Sequence, residues 1–283
     1  MRVARWSVPV LVLAAVVTAA FSADSPRPSL QTTELGVGGA SFVLVHSIGG
    51  SRTDWLPTVK RLKDRYKVVM VELPGHGTSP LPDPFALETA ADMLDSVIAL
   101  QKPESTIVVG QGVGGVLAVQ ALARHPGRAR GLVLIDAALK SPMQIDDQQV
   151  GMIVRFMDEN YETFKTMAFA KMGRDSAESA ILFAKMAAVQ PATVKAYMRN
   201  LLRVDANRDL KSLGMPVPLV VSGRTWKGEA LWGPTSKSMG YDDSTMVTPH
   251  RIVSAGTLVM KDQPDSLAAI LTGYATERFA AKK

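Results

Sequence analysis

The chain has 283 residues, 47% hydrophobic and 20% charged, with 4 histidines, no cysteine and a formal net charge of +6. That balance belongs to a globular protein long enough for one large domain or two smaller ones. The lack of cysteine excludes thiol nucleophiles, disulfides, zinc fingers and iron–sulfur clusters. Four histidines leave little room for a His-rich metal centre, so neither a metal nor a cofactor is expected.

Arg2 and Arg5 precede an apolar run from Val8 to Ala20, which leads into Ala20-Phe21-Ser22 before Ala23-Asp24. A basic start, a short apolar core and a small-x-small site form the pattern of a secretory signal peptide over residues 1–22. Interrupted by Pro9, the run is short for a membrane span. The expected location is therefore exported, periplasmic or secreted, with no stable membrane span once the leader is cleaved; a retained anchor is the alternative. Residues 1–22 carry two arginines and no acid, so 30 basic residues face 26 acidic ones after cleavage. Those charges are interspersed rather than gathered in a stripe, which argues against a nucleic-acid partner.

Beyond the leader, strand and helix patterns alternate. Residues 40–45 form a short β-rich run, and residues 54–66 place Trp55, Val59 and Leu62 at helical spacing. A buried-type strand follows at 67–73, then a helix at 86–100 with Leu87, Ala90, Met93, Leu94, Val97 and Ile98 on one side. Residues 106–109 read as a strand, 113–124 as a helix ended by His125-Pro126, and 131–135 as a strand. Residues 141–204 are helical throughout and carry seven methionines: Met143, Met152, Met157, Met167, Met172, Met186 and Met198. Strands resume at 217–221 and 251–253, and a helix closes the chain at 265–279. Such alternation builds a mostly parallel sheet with helices on both faces. The expected organisation is a leader at 1–22, an α/β core at 23–140 and 206–283, and a helical cap at 141–205.

Four segments carry a family resemblance. Phe42-Val43-Leu44-Val45-His46-Ser47-Ile48-Gly49-Gly50, followed by Trp55, resembles the strand and oxyanion loop of α/β-hydrolases. Val71-Glu72-Leu73-Pro74-Gly75-His76-Gly77-Thr78-Ser79 is similar to their next strand and turn. Val108-Val109-Gly110-Gln111-Gly112-Val113-Gly114-Gly115 falls where the nucleophile elbow G-x-S-x-G belongs. Asp262-Gln263-Pro264-Asp265 looks like the segment after the family's histidine loop. The resemblance covers nearly everything from Ala40 to Phe279 and implies the α/β-hydrolase fold, with the methionine-rich segment as its cap.

The resemblance also exposes a departure. The nucleophile slot holds Gly112, which has no hydroxyl to form an acyl-enzyme. The acid slot holds Trp226, and the base slot holds Thr257, which cannot act as a base near neutral pH. None of the histidines replaces it. His46 matches a loop-organising position, His76 lies in a Pro-Gly turn, His125 ends a helix where a cation suits the dipole, and His250 stands seven residues short of the slot.

Ser47, Ser222 and Asp136 are the nearest candidate substitutes; their plain alternative is service to loops and backbone. A binding crevice above the strand ends remains, lined in expectation by His46, Ser47, Ile48, Gln111, Gly112, Val113, Trp226 and Thr257. The leading expectation is a non-catalytic binder of a small apolar ligand or a protein partner. The second is an esterase-like hydrolase acting through Ser47, Asp136 and the oxyanion loop. A lyase or cofactor-free oxygenase is the third, and lacks the histidine such chemistry uses.

Overall fold

The computed structural model describes residues 29–143, 145–241 and 246–280. The leader expected at 1–22 lies outside the described residues. In chain order the strands are β1 (Thr32–Leu35), β2 (Ser41–Val45), β3 (Lys67–Val71), β4 (Thr106–Gln111), β5 (Gly131–Ile135), β6 (Val217–Ser222) and β7 (Val247–Ile252). The helices are α1 (Leu56–Leu62), α2 (Leu87–Ile98), α3 (Val113–Arg124), α4 (Asp147–Glu159), α5 (Tyr161–Phe169), α6 (Ser176–Ala187), α7 (Pro191–Leu201), α8 (Asn207–Ser212), α9 (Trp232–Ser238), α10 (Val259–Asp262) and α11 (Pro264–Ala280).

The strands form one sheet of 7 in the order β1-β3-β2-β4-β5-β6-β7. Only β1 runs antiparallel to its neighbour; the other pairings are parallel. This is the α/β fold that the strand–helix alternation predicts.

The near-continuous apolar character of β2 to β6 follows from burial on both faces. Val43, Val45, Val69, Val71, Val108, Leu132, Leu134, Leu219 and Val221 face one way, toward α2, α3 and α8. The alternate residues Phe42, Leu44, Val68, Met70, Ile107, Val109, Val133, Ile135 and Val220 face the other, toward α1, α10 and α11. The period of two in each strand thus feeds two cores. A third cluster, Met157, Phe164, Phe169, Met186 and Val194, belongs to the helices inserted between β5 and β6.

The order β3-β2-β4 is what positions the site. The chain leaves β2 to lay β3 on one side and returns to lay β4 on the other, so the crossovers diverge between β2 and β4. A crevice opens at the carboxyl ends of two strands where this happens. The residues directly past those ends are His46-Ser47 after β2 and Gly112-Val113 after β4.

Several boundaries differ from the sequence-based expectation. The first helix begins as a 3-10 turn at Arg52–Trp55, because Ser51 and Asp54 cap its start, and α1 itself ends at Leu62. The last strand starts at Val247, earlier than expected, so His250 lies within β7 paired with Val220 rather than ahead of it. Its mixed residues Thr248, Pro249 and His250 hide a strand that sits at the sheet edge, where polar residues and proline are tolerated. Strand β1 and helix α9 are short and carry little periodic signal.

Candidate active site

The elbow between β4 and α3 turns at Gly112, with φ 51° and ψ −121°. A side chain tolerates that backbone only with strain, whereas glycine takes it freely. Gly114 is needed for a different reason: a Cβ there would press on His46 O and stand 2.8 Å from Val45 O. Its absence lets α3 approach the end of β2, and that approach carries the oxyanion loop over the elbow.

Ser47 is the consequence. A Cβ placed on Gly112 would collide with Ser47 Oγ and stand 2.9 Å from Ser47 Cβ. The Ser47 hydroxyl therefore fills the space that a side chain on residue 112 would occupy. Val113 N–H, the amide following the elbow, donates to Ser47 Oγ at 3.2 Å. Ile48 N–H makes no hydrogen bond among the described residues.

Gln111 locks this loop to the one expected to carry a base. Its Oε1 accepts from Ser47 N at 3.1 Å, and its Nε2 donates to Thr257 O at 2.8 Å. Thr257 Oγ1 in turn donates to Met172 O at 2.5 Å, which ties the loop to the cap. Behind Ser47, His46 is fully buried and points away from the crevice. Its Nδ1 donates to Ser47 O at 2.7 Å. Its Nε2 lies 3.1 Å from Leu73 N and 3.0 Å from Glu72 Oε1. A neutral ring accepts the Leu73 N–H there, while a protonated ring donates to Glu72 instead; one nitrogen cannot do both. Burial favours a protonated Glu72 carboxyl, but the His46 contact and Arg52 outweigh it and hold that carboxyl below its ordinary value.

His76 is neutral by geometry, since Nδ1 donates to Pro74 O at 3.1 Å and Nε2 accepts from Gly49 N at 3.1 Å. Burial, with the nearby His46 ring, lowers its pKa to about 4. These two histidines brace the oxyanion loop, their rings edge to face at 5.2 Å. Neither presents a nitrogen to Ser47 Oγ.

The cap closes the crevice. Met172, Leu182, Lys185 and Met186 meet Ser47, Ile48, Gln111 and Thr257 around a cavity of about 30 Å³, roughly the room of one water molecule. Lys185 Nζ is held 3.0 Å from the buried Asp54 carboxylate.

Of the residues expected at the crevice, Ser47, Ile48, Gln111, Gly112, Val113 and Thr257 are brought together here. Trp226 is not among them: it stacks on Trp232 at 4.9 Å, lies beneath the Arg251 guanidinium at 5.2 Å and donates to Ala230 O at 2.6 Å. Asp136 is also apart from Ser47. It ends β5 at φ 43°, and its Oδ1 accepts from Ser222 N at 3.0 Å. Burial raises its pKa against the pull of the Ser222 and Thr225 hydrogen bonds and of Arg224. Ser222 is itself fully buried and turned to Thr225. His125 caps the end of α3 beside Asp92, with Nε2 at 3.2 Å from its carboxylate. Among the described residues no group of His, Asp and Glu is arranged to hold a metal. Leu182 and Lys185 are the cap residues that sequence reasoning missed, the only signal being their place in the methionine-rich segment, whereas Met172 and Met186 are two of the seven methionines named there.

Comparison with known proteins sharpens the reading. The sequence profile of the Alpha/beta hydrolase family matches residues 42–270. The pimeloyl-[acyl-carrier protein] methyl ester esterase of Pseudoalteromonas atlantica is 27% identical over 243 residues, covering 78% of this chain and 90% of that one. The esterase of the same name from Edwardsiella ictaluri is 28% identical over 193 residues, covering 64% of this chain and 73% of that one. Among solved structures, a hydrolase from Oleispira antarctica superposes with a TM-score of 0.71 at 17% identity, covering 88% of this chain and 95% of its own. A thermophilic esterase from Thermogutta terrifontis also reaches 0.71 at 18% identity, covering 88% of this chain and 94% of its own. Catalytic esterases as relatives correct the expectation of a non-catalytic binder. They favour instead the second expectation, an esterase-like hydrolase, for which the adjacent loop carries the Ser47 hydroxyl into the vacated slot.

Proposed function

The chain belongs to the alpha/beta hydrolase family, and we propose that it hydrolyses carboxylic esters, with Ser47 in place of the missing elbow serine. One observation carries the proposal: Ser47 Oγ occupies the space of a side chain on Gly112 and sits on the Val113 amide. In this reading Ser47 Oγ attacks the ester carbonyl carbon and loses its proton to a solvent base. The developing oxyanion is met by the free Ile48 amide and by the Val113 amide, which turns from Ser47 Oγ to the oxyanion as the new bond forms; both stand at the positions used for an oxyanion hole. Collapse expels the alcohol, and water then releases the acid from the acyl-serine. Substrate entry requires Met172, Leu182 and Met186 to swing aside, so an apolar acyl chain suits the space they leave.

Among the described residues no imidazole or carboxylate lies within hydrogen-bond distance of Ser47 Oγ. Turnover is therefore expected near 10³–10⁴ above the uncatalysed reaction, roughly what binding and an oxyanion hole supply without a triad. It should rise steadily with pH rather than level off near neutrality. The supporting relatives are esterases by name. We propose export as part of the same reading, supported by the basic and apolar pattern of residues 1–22.

The test uses p-nitrophenyl esters of increasing acyl length and a fluorophosphonate label, with the modified peptide identified by mass. Labelling at Ser47 and loss of turnover in Ser47→Ala are expected. Turnover unchanged in Ser47→Ala, or a label on another serine, defeats the proposal.

A further inference from the structure

A second cavity lies outside the crevice, on the far side of the wall made by residues 171–173 and 255–257. It is an open cleft of about 480 Å³, with Lys171, Arg174, Arg224 and Lys227 around Gly173, Gly223 and Ser254. Met172 and Thr257 face the reaction cavity, while Lys171, Gly173 and Ala255 face the cleft.

Its electrostatics are one-sided. Arg174 is partly neutralised, by Asp175 at 3.6 Å, Glu178 at 3.8 Å and Asp262 at 3.5 Å. Lys171, Arg224 and Lys227 have no carboxylate within 4.0 Å among the described residues. Asp136 acts on Arg224 only at longer range. Arg224 is nevertheless restrained, since its Nη2 donates to Lys171 O at 3.3 Å. Arg174 is anchored in the same way through Ser254 O at 3.3 Å. Guanidinium groups held by backbone carbonyls keep their orientation, so little side-chain freedom is lost when an anion joins them. The volume falls within the range of small-molecule sites.

We propose that this cleft binds a small oxyanion, a phosphate or carboxylate group, between Lys171, Arg224 and Lys227. The anion relieves the mutual repulsion of three unpaired cations and accepts charge-assisted hydrogen bonds from a preset guanidinium. The site is independent of the reaction assigned to Ser47 and stands or falls separately.

Calorimetric titration of the protein with inorganic phosphate, and separately with malonate, at fixed ionic strength tests it. Saturable binding is expected, weakened by about tenfold or more in Lys171→Gln/Lys227→Gln and unchanged in the control Lys211→Gln, an exposed residue of α8. The tighter of the two ions identifies the group as phosphate or carboxylate. Amide shifts confined to Gly173, Gly223 and Ser254 during the phosphate titration locate the site without any substitution. The proposal is overturned by an absence of saturable binding for both ions. Equal weakening in Lys211→Gln, or shifts spread over the whole surface, also overturns it, since both mark general screening.

Discussion

Restoring a serine at the elbow should damage this protein before it helps it. Gly112→Ser introduces a Cβ that collides with Ser47 Oγ and lies 2.9 Å from Ser47 Cβ. Overpacking of that kind costs about 1–3 kcal/mol. A non-glycine residue at φ 51° and ψ −121° adds about 1–3 kcal/mol of backbone strain. The single variant should therefore lose about 2–6 kcal/mol out of a typical stability of about 5–15 kcal/mol. Ser47→Gly removes both colliding atoms but leaves the backbone strain. In Gly112→Ser/Ser47→Gly the collision should vanish, giving a coupling energy of about 1–3 kcal/mol. Urea unfolding followed by tryptophan fluorescence on the four members of the cycle reads this directly. Additive effects of the two substitutions would show that Ser47 does not occupy the elbow slot, and would take the proposed nucleophile with it. It follows that Gly112→Ser with Thr257→His regains no triad activity while Ser47 remains.

Further outcomes follow from the bracing and the covering of the site. Because the folded pKa of His76 is lowered to about 4, an unfolded chain with a pKa of about 6.5 binds more protons between those values. Stability is thus full above pH 6.5 and falls by up to about 3 kcal/mol as the pH drops toward 4; His76→Gln should flatten that part of the stability–pH curve. Gln111→Leu leaves the Ser47 amide and the Thr257 carbonyl without their partner, and should cost about 1–3 kcal/mol by denaturant unfolding. Met186 is almost fully buried against Gly49, so Met186→Ala should lose about 2–5 kcal/mol. The same variant should raise the rate constant for small p-nitrophenyl esters relative to wild type, because the space above Ser47 opens.

Much of this protein is legible in the chain itself. Periodicity of two in β2 to β6 and the turn glycines around Gly112 specify a parallel sheet with an elbow, since each depends on neighbours in sequence. The empty triad slots at Gly112 and Thr257 are equally local facts. The edge strand β7 escaped early detection because its exposure removes the need for apolar alternation. The cap contacts are not legible, because which methionine of a helical insertion reaches the strand ends depends on how the helices dock.

The site shows the same division. From sequence alone Ser47 is one serine in a turn, 65 positions from Gly112, and Trp226 and Asp136 are equally plausible neighbours. The crossover order β3-β2-β4 decides between them: it sets the ends of β2 and β4 side by side, and Gly114 lets the loop close over the elbow. A hydroxyl then enters a slot that a glycine left open, while Trp226 and Asp136 stay at the ends of other strands. Local chemistry identified what the elbow lacks, and only the packing of two distant loops determined what stands in its place.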